Sequence, residues 1–218
     1  MTSQAPIFAA DPLPRGPHGL SPEEVAASQR TRLFAALAET MAEKGFASAG
    51  VAEISRRAGV SPTTFYAHFD GKLDCLLAGY DALAAWLFET IAEAVDPGAD
   101  WPDFIESVLN AYLGRLEANP TVARAFLIEI DGAGPEARKR RRGTYAAFAD
   151  LLKQRHEQIR ATDPSLGPLP DRAYLALALG VRELVADALE REAEPRLTEM
   201  APDIQRWIAA AIAGAAAA

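Results

Sequence analysis

The stretch Val51-Ala-Glu-Ile-Ser-Arg-Arg-Ala-Gly-Val-Ser-Pro-Thr-Thr-Phe-Tyr-Ala-His-Phe69 predicts two short helices joined by a tight turn. Val51, Ile54 and Ala58 recur at helical spacing, so the three share one face of the first helix. Gly59 lets that helix end, because glycine adopts a left-handed backbone conformation freely. A two-helix unit with a glycine in its short turn is typical of proteins that place the second helix in a DNA groove.

The second helix of the pair begins with strong local signals. Ser61 is a preferred N-cap, and Pro62 occupies the first helical position, where its missing N–H costs nothing. Phe65 and Phe69 are four residues apart and are expected to point inward together. The polar residues that remain for the start and the outer side of this helix are Thr63, Thr64, Tyr66 and His68.

A longer helix is predicted on each side of the pair, from residue 21 to 46 and from Leu73 onward. The run of residues 21–72 resembles the TetR family of bacterial one-component transcriptional regulators. The motifs that carry the resemblance are Gly45-Phe46, Ile54 with Ala58-Gly59-Val60-Ser61, and Phe65-Tyr66-Ala67-His68-Phe69 with Lys72.

The resemblance implies that the second helix of the pair contacts double-stranded operator DNA. Base edges would be read from the start of the helix, and phosphates would be contacted from its far side and from the next helix. The residues at the positions for reading bases are Pro62, Thr63 and Thr64, and those at the positions for phosphate contact are Tyr66, His68 and Lys72.

Two positions depart from the family's pattern. Gly50 stands where the family usually carries a hydroxyl residue, so only backbone amides remain there to approach a phosphate. Ala52 replaces a base-reading arginine found in some members, which argues against bidentate recognition of guanine from this position. Two alternatives stay open: Tyr66 could only cover the core, and His68 could pack or form a cap locally.

The formal net charge of −8 is unusual for a protein that binds nucleic acid. Residues 1–75 hold seven Lys and Arg against eight Asp and Glu, so most of the acidity lies in the rest of the chain. Arg56, Arg57 and Lys72 are expected to supply a local positive field together with the helix N-termini. Because phosphate contacts would then be few, a moderate salt dependence of DNA binding is expected.

The chain is expected to be cytoplasmic and to hold no cofactor or metal. Its single cysteine, Cys75, excludes an internal disulfide framework and is expected to be buried. No apolar run is expected to reach the length of a membrane span, so no membrane contact is predicted. Residues 1–20 contain four prolines and two glycines and are predicted to form a flexible arm.

The pattern is helical from residue 73 to the end, with no convincing strand, so the chain is predicted to be all-α with about nine helices. Three parts are expected: the arm at 1–20, a three-helix helix-turn-helix domain at 21–72, and a ligand-binding and dimerisation domain at 73–218. Breaks between the later helices are predicted at Asp96-Pro97-Gly98, Asn119-Pro120 and Asp131-Gly132-Ala133-Gly134-Pro135.

The last two helices are predicted to pair with a second subunit. The helix at 171–192 is apolar around most of its circumference, so it needs partners on several sides. Ala176 and Gly180 leave a shallow strip where another helix can approach closely. In the family the last two helices pair between subunits, which implies a homodimer and a near-palindromic operator. The alternative is that both helices only cap the core of their own chain.

The family also keeps a ligand cavity between helices four and seven, which implies a small, largely apolar effector. The aromatic residues on faces that could line such a cavity are Trp86, Phe104, Tyr112, Phe126, Tyr145 and Phe148. The alternative is that these residues only fill the core. The basic run Arg138–Arg142 is interpreted as a solvated face, with a role at the DNA backbone or in the dimer as the other possibility.

These features favour a regulator, a repressor in the family's commoner mode, that leaves its operator when the effector binds. An enzyme is not expected, because the sequence contains no histidine–carboxylate metal pattern, Gly-rich phosphate loop or nucleophile elbow. The alternatives are a helical dimer that does not bind DNA and a helical enzyme that binds a small molecule.

Overall fold

The computed structural model describes residue 8, residues 19–163 and residues 165–216, with side chains as far as residue 212. Every regular element in these ranges is helical, which confirms the all-α prediction. The α-helices of the described residues are α1 (Pro22–Ser48), α2 (Val51–Arg57), α3 (Pro62–His68), α4 (Lys72–Ala94), α5 (Trp101–Glu117), α6 (Pro120–Leu127), α7 (Pro135–Arg160), α8 (Asp171–Arg191) and α9 (Ala201–Ala216). Two short 3₁₀ helices lie at Glu129–Ala133 and Leu197–Met200.

The break predicted before α7 contains more structure than expected. Residues 129–133 form a 3₁₀ helix, in which the Asp131 N–H donates to the carbonyl of Ile128 at 3.2 Å. Gly134 then has a φ of 104°, a left-handed conformation that other residues adopt only with strain. Pro135 follows at the first position of α7, as its fixed φ favours.

The chain divides into two compact units. Unit 1 covers Met1–Trp86 and Thr121–Arg138, and unit 2 covers Leu87–Pro120 and Lys139–Ala218. This division by compactness does not coincide with the domain limit predicted at residue 72, because α6 groups with the helix-turn-helix and α4 contributes to both units. The functional domains at 21–72 and 73–218 remain a prediction.

In unit 1, aromatic packing explains why α6 groups with the N-terminal helices. A Cβ atom at Gly79 of α4 would lie 3.1 Å from Cζ of Phe126 and 3.2 Å from Cδ1 of Phe34. Glycine therefore lets α4 approach both rings closely. The ring of Tyr80 also lies near Phe126, with centroids 6.3 Å apart.

One residue of the predicted arm joins the same aromatic cluster. Phe8 is 7% exposed, and its ring centroid lies 5.5 Å from that of Phe126 and 6.3 Å from that of Phe34. The sequence pattern did not predict these contacts, because Phe34 and Phe126 lie far from Phe8 along the chain. Apart from Phe8, Gly19 and Leu20, the predicted arm lies outside the described residues.

In unit 2, α5 packs against α9 and the 3₁₀ helix before it. The Glu117 carboxylate accepts hydrogen bonds from the N–H and the hydroxyl of Thr198, at 2.8 and 2.9 Å. A Cβ atom at Gly180 of α8 would lie only 2.8 Å from Cη2 of Trp207. The close approach predicted at Gly180 is therefore confirmed, and the side chain that makes it belongs to α9 of the same chain.

α4 is long and apolar enough to cross a membrane by length and composition alone, with a mean hydropathy of 1.3 over its most apolar 18 residues. The expectation that no run reaches this length was therefore wrong. Of that stretch, 44% is buried inside the protein. Core helices of soluble proteins have the same properties, so this helix is weak evidence for a membrane span.

Candidate nucleic-acid interface and effector residues

The helix-turn-helix forms as its sequence predicts. The turn between α2 and α3 contains Gly59 with a φ of 65°, and the N–H of Val60 donates back to the carbonyl of Ser55 at 3.0 Å. Ser61 caps α3, since its hydroxyl accepts the backbone N–H of Thr64 at 3.0 Å. The inward face of α3 is anchored by a Phe65 ring with no exposed surface. The orientation of α3 is thus set by its own cap and core.

The outward face of α3 presents side chains that do not carry charge. Pro62 and Thr63 are exposed at the start of the helix, and Tyr66 is 59% exposed one turn later. Thr64 is half-buried, and its hydroxyl lies 2.9 Å from that of Ser61. The exposure of Tyr66 excludes the alternative in which this ring only covers the core.

His68 is tied to α1. Its Nε2 lies 2.8 Å from Oε1 of Gln29, so the neutral imidazole donates a proton to the amide oxygen. Burial lowers the pKa of His68 below its ordinary value, and the positive charge of Arg30 adds to this effect. The imidazole is therefore neutral at pH 7. Its position agrees with the alternative of local packing.

Lys72 holds the C-terminal end of α1. Its ammonium donates to the carbonyls of Phe46, Ala47 and Ala49 at 2.8, 3.0 and 3.0 Å. Nζ also lies 4.6 Å from the centroid of the Phe46 ring. An ammonium has three donors, so these carbonyls use all of them, and they include groups that a helix end leaves without intrahelical partners. A direct phosphate contact would require Lys72 to leave at least one of these carbonyls.

Two further cations near the interface are paired with acidic residues of unit 1. Arg57 donates to Oε1 of Glu43 at 2.7 Å and lies 3.5 Å from Oε1 of Glu53. Lys44 forms an ion pair with Glu53 as well. The hydrogen bond from Arg57 lowers the pKa of the Glu43 carboxyl, which therefore stays ionised at neutral pH. Arg57 consequently contributes less to the local positive field than the sequence alone indicated.

The N-terminus of α2 offers backbone groups only. Gly50 is its N-cap and makes no side-chain hydrogen bond, as the missing hydroxyl predicts. Ala52 is exposed on the first turn. The candidate interface therefore presents hydroxyl groups, one aromatic ring, two helix N-termini and the exposed side chain of Arg56.

The six predicted effector residues fall in both units. Trp86 and Phe126 belong to unit 1, where the ring of Phe126 packs beside Phe8 and Tyr80. The other four, all in unit 2, are Phe104, Tyr112, Tyr145 and Phe148.

Within unit 2 these four residues differ in their surroundings. Phe104 is 2% exposed and stacks near Trp101, with ring centroids 5.5 Å apart, so it is a core residue. The ring of Phe148 lies 5.8 Å from that of Phe88, and burial raises the pKa of Tyr145 well above its ordinary value. Tyr112, Tyr145 and Phe148 are half-buried, which leaves them as the candidates for contact with a ligand.

An apolar surface on α8 and α9 includes the largest exposed hydrophobic side chains of unit 2. Leu179, Leu184 and Trp207 are 40%, 42% and 43% exposed. Leu184 and Trp207 also line an open groove of about 450 Å³, together with residues of the 3₁₀ helix before α9. The sequence predicted an apolar α8 but did not show which of its leucines would face outward.

Cys75 has no exposed surface, as expected for a packing role. Burial raises the pKa of its thiol to about 12, and the nearby charge of Asp74 adds to this effect. The thiol is therefore protonated and unreactive at neutral pH.

Residues 33–78, from the middle of α1 to the start of α4, match the model of a known family, described as bacterial regulatory proteins of the tetR family. Residues 33–78 are thus similar to the N-terminal domain of tetR-family regulators. This match covers the helix-turn-helix with its cap, turn and buried aromatic residues. It confirms the resemblance inferred from the motifs.

Solved structures of similar fold cover most of the chain. The transcriptional regulator FadR from Bacillus subtilis in complex with stearoyl-CoA is 18% identical, with a TM-score of 0.74, over 81% of this chain and 96% of that one. The fatty acid degradation regulator FadR from Bacillus halodurans is 19% identical, with a TM-score of 0.70, over 83% and 94%. A tetR-family regulatory protein from Rhodococcus RHA1 is 22% identical, with a TM-score of 0.65, over 84% and 96%. At these identities the likeness concerns the fold.

Proposed function

We propose that this protein is a ligand-responsive transcriptional repressor that binds a near-palindromic operator as a homodimer. The observation that carries the proposal is the disposition of α3 within a TetR-family domain. Phe65 anchors the helix from inside, while Thr63 and Tyr66 remain exposed on its outer face. A rigid helix with exposed hydrogen-bonding groups at its start has the form needed to enter a major groove.

The residues of the interface divide into two roles in this proposal. Pro62, Thr63 and Thr64 read base edges, where a threonine can use both its hydroxyl and its methyl group. Tyr66 donates its hydroxyl to a phosphate, which positions the helix without reading sequence. His68 and Lys72 act mainly by holding α1 and α3 in place, because their nitrogen atoms bond to Gln29 and to the end of α1.

The exposed apolar surface of α8 and α9 supports the dimer. A leucine and a tryptophan more than 40% exposed beside an open groove are unfavourable in an isolated chain. A second copy that covers Leu184 and Trp207 would remove them from water. We expect Leu184→Glu to shift the protein to monomers in sedimentation analysis, whereas Arg172→Glu at the exposed start of α8 should stay dimeric. A dimeric Leu184→Glu variant would contradict this interface.

The effector is proposed to bind in unit 2 and to act through α4. A structural neighbour binds stearoyl-CoA, and Tyr112, Tyr145 and Phe148 of this chain are half-buried aromatic residues of unit 2. α4 starts in unit 1 and continues into unit 2, so a ligand that favours one position of α4 also biases the DNA-binding unit. The domain limits at residues 20 and 72, and a cytoplasmic location, belong to the same proposal.

A selection of bound sites from random duplex DNA, followed by fluorescence anisotropy, tests the proposal. The selected sites should be near-palindromic, with half-sites about one helical turn apart or a multiple of it. Thr63→Ala should relax the preference at one base pair per half-site, and Tyr66→Phe should weaken binding to all duplexes alike. Gln154→Ala, on an exposed part of α7, should change neither. A protein that selects no sequence and remains monomeric would overturn the proposal.

One observation favours a second candidate, a helical dimer that does not bind DNA. Arg57, Lys44 and Lys72 are all engaged by acceptors of their own unit, which leaves Arg56 as the exposed cation of α2. The same experiment separates the two candidates. A protein that forms dimers in sedimentation analysis but selects no DNA sequence at low salt would favour the second candidate.

A further inference from the structure

We propose that Phe8 is a positioning residue for operator binding, because its ring joins α6 to the helices that carry the DNA interface. The proposal deepens the proposed function and rests on it wherever DNA is concerned. It gives a role to a residue of the predicted arm, which the motifs of the helix-turn-helix do not include. Five rings of unit 1, called the aromatic series below, carry the argument: Phe126 of α6, Phe8, Phe34 of α1, Phe69 at the C-cap of α3 and Phe65 within α3.

Phe8 contacts rings of two different helices. Its ring centroid lies 5.5 Å from that of Phe126 and 6.3 Å from that of Phe34, with angles of 37° and 59° between the ring planes. Tilted rings at these separations attract each other. Phe8 is 7% exposed, whereas Leu20, near the start of α1, is 37% exposed. Among the described residues of the arm, Phe8 therefore makes the buried contact.

α4 meets the same two rings at a glycine. A Cβ atom at Gly79 would lie 3.1 Å from Cζ of Phe126 and 3.2 Å from Cδ1 of Phe34, so α4 approaches both rings as closely as its backbone allows. The rings of α1 and α6 are thus held by α4 and also contacted by Phe8. Loss of the Phe8 ring would leave a space beside both of them, and neighbouring groups would have to move to fill it.

The aromatic series continues from α1 to α3. The ring of Phe34 lies 5.6 Å from that of Phe69, which lies 5.7 Å from that of Phe65. Phe69 and Phe65 are 3% and 0% exposed. Cζ of Arg30 lies 5.6 Å from the Phe34 ring and 4.8 Å from the Phe69 ring, so one cation contacts both. Because closely packed rings do not move independently, a shift of Phe34 also shifts the residues that orient α3.

α6 enters unit 1 from unit 2 along the chain. Residues up to Pro120 belong to unit 2, those from Thr121 to unit 1, and α6 begins at Pro120. Phe126, seven residues into α6, is 1% exposed. Phe8 therefore contacts a helix that connects the units, as α4 also does. Its ring contributes to the position of that helix against α1 and, through Phe34, to the position of α3.

Fluorescence anisotropy with the selected operator and with a random duplex of the same length tests this role. Phe8→Ala should lower the affinity for the operator about tenfold, the scale of one lost base-pair contact, and leave that for the random duplex within about twofold. A misplaced α3 loses base contacts but keeps the attraction to phosphates. A smaller folded fraction would instead lower both affinities by the same factor. An unchanged ratio in Phe8→Ala would overturn the proposal.

Two further variants of the arm make the test specific. Leu20→Ala, an exposed change, should keep the ratio of the wild-type protein. Phe8→Leu fills most of the space of the ring with another apolar group, so its ratio should lie between those of the wild type and of Phe8→Ala. It also serves as the test if Phe8→Ala does not fold, which circular dichroism would show. A wild-type ratio in folded Phe8→Leu together with unfolded Phe8→Ala would assign Phe8 to stability alone and overturn the proposal.

Hydrogen exchange of the free protein tests the same role without DNA. Phe8→Ala should speed the exchange of amides in α6 and α3 about tenfold, among them the N–H of Phe69, which donates to the carbonyl of Phe65 at 3.0 Å. Amides of α9, in unit 2, should exchange as in the wild type. Unchanged protection of α6 and α3, or an equal loss of protection in α9, would contradict a positioning role.

Failure of this proposal is distinguishable from failure of the proposed function. A wild-type protein that selects no operator would overturn the proposed function, and with it the role of Phe8 in DNA binding. A protein that selects an operator and keeps the same ratio of affinities in Phe8→Ala would retain the proposed function, and Phe8 would then not be a positioning residue.

Discussion

The helices α3 and α8 distribute their polar and apolar residues in opposite ways. α3 buries Phe65 completely and leaves Tyr66 59% exposed, whereas α8 buries Arg182 and leaves Leu184 42% exposed. The arrangement in α3 is favourable within its own chain, since the apolar ring is in the core and the polar hydroxyl is in water. In α8 the exposure of Leu184 to water is unfavourable, and the buried guanidinium of Arg182 is bonded to partners that include Glu183. We conclude that α3 places its large apolar ring inside its own chain, whereas α8 leaves apolar surface exposed to water.

The basic residues of the two units also differ in their burial and in the exposure of their partners. In unit 1, Lys72 and Arg57 lie near the surface and bond to carbonyl or carboxylate groups of that unit. In unit 2, Arg182 lies inside and its bonded carboxylate is largely exposed. Basic residues of unit 1 thus hold neighbouring segments together near the surface, whereas Arg182 of unit 2 is enclosed by its neighbours.

The largest effect is expected at the buried side of α3. Phe65→Ala should lower the free energy of unfolding by about 3–5 kcal/mol, because it removes a large ring from a packed core and leaves a cavity. Tyr66→Ala, at the adjacent exposed position, should change it by less than about 0.5 kcal/mol. Urea denaturation followed by circular dichroism measures both. Similar values for the two variants would contradict the described orientation of α3.

A smaller effect is expected where α4 meets the end of α1. Lys72→Met should lower the free energy of unfolding by about 1.5–3 kcal/mol, because three carbonyls lose a charged donor. Lys139→Met, an exposed change of the same kind on α7, should have an effect within about 0.5 kcal/mol. A stable Lys72→Met variant with a reduced salt dependence of DNA binding would instead identify Lys72 as a phosphate contact.

A change of DNA affinity is expected when Arg57 loses one of its acidic partners. Glu43→Gln removes the nearest of the three carboxylates around Arg57, the others being those of Glu39 and Glu53, so the positive field beside α2 and α3 should increase. Operator affinity should rise at low salt, and the slope of log K against log salt should steepen by up to about 0.9 for each phosphate newly contacted. Glu106→Gln makes the same change in net charge at an exposed site of α5 and should leave both quantities unchanged. An equal response to the two variants would show that only net charge matters.

The smallest effect is expected from His156, which is fully buried in unit 2 with Nδ1 2.9 Å from the hydroxyl of Tyr174 on α8. Burial lowers its pKa below the ordinary 6.5, and the charge of Arg160 adds to this effect. Protons then bind preferentially to the unfolded chain, so stability present at pH 7 should be lost as the pH falls below that ordinary value.

Urea denaturation between pH 7 and pH 5 measures this dependence. His156→Gln should reduce it, because the amide can still accept a proton from Tyr174 and does not titrate. His68→Gln gives the corresponding reduction for unit 1, where the pKa is lowered for the same reason. A profile that His156→Gln leaves unchanged would show that His156 has the same pKa in the folded and unfolded chain.

The local features of the helix-turn-helix were predictable because each depends on neighbours in the sequence. The cap at Ser61, the left-handed Gly59 and the inward pair Phe65 and Phe69 all follow from residue type and spacing. The acceptors of Lys72 were not predictable, since the nearest of these carbonyls is 23 residues away along the chain. The same holds for His68, whose partner Gln29 belongs to another helix.

For the predicted effector residues, their spacing in the sequence identified the inward side of each helix. It did not identify the helices that pack against that side. Phe104 and Phe126 have the same apolar pattern as Phe148, yet they pack in the cores of different units. The basic run of α7 looked uniform, although Arg141 differs from Arg140 and Arg142 in exposure. Which aromatic or basic residue remains available to a ligand depends on what the neighbouring helices cover.

The amino-acid order alone was sufficient for the all-helical class, the resemblance of the N-terminal region to the tetR family and the approximate helix boundaries, because caps, turns and amphipathic periodicity act over a few residues. Long-range packing determined the partners and the burial of each charged group. Lys72 bonds to the end of α1, Arg57 bonds to Glu43, and Arg182 is enclosed in unit 2. The free energy of a charge depends on its burial and its partners, and both are properties of the folded chain.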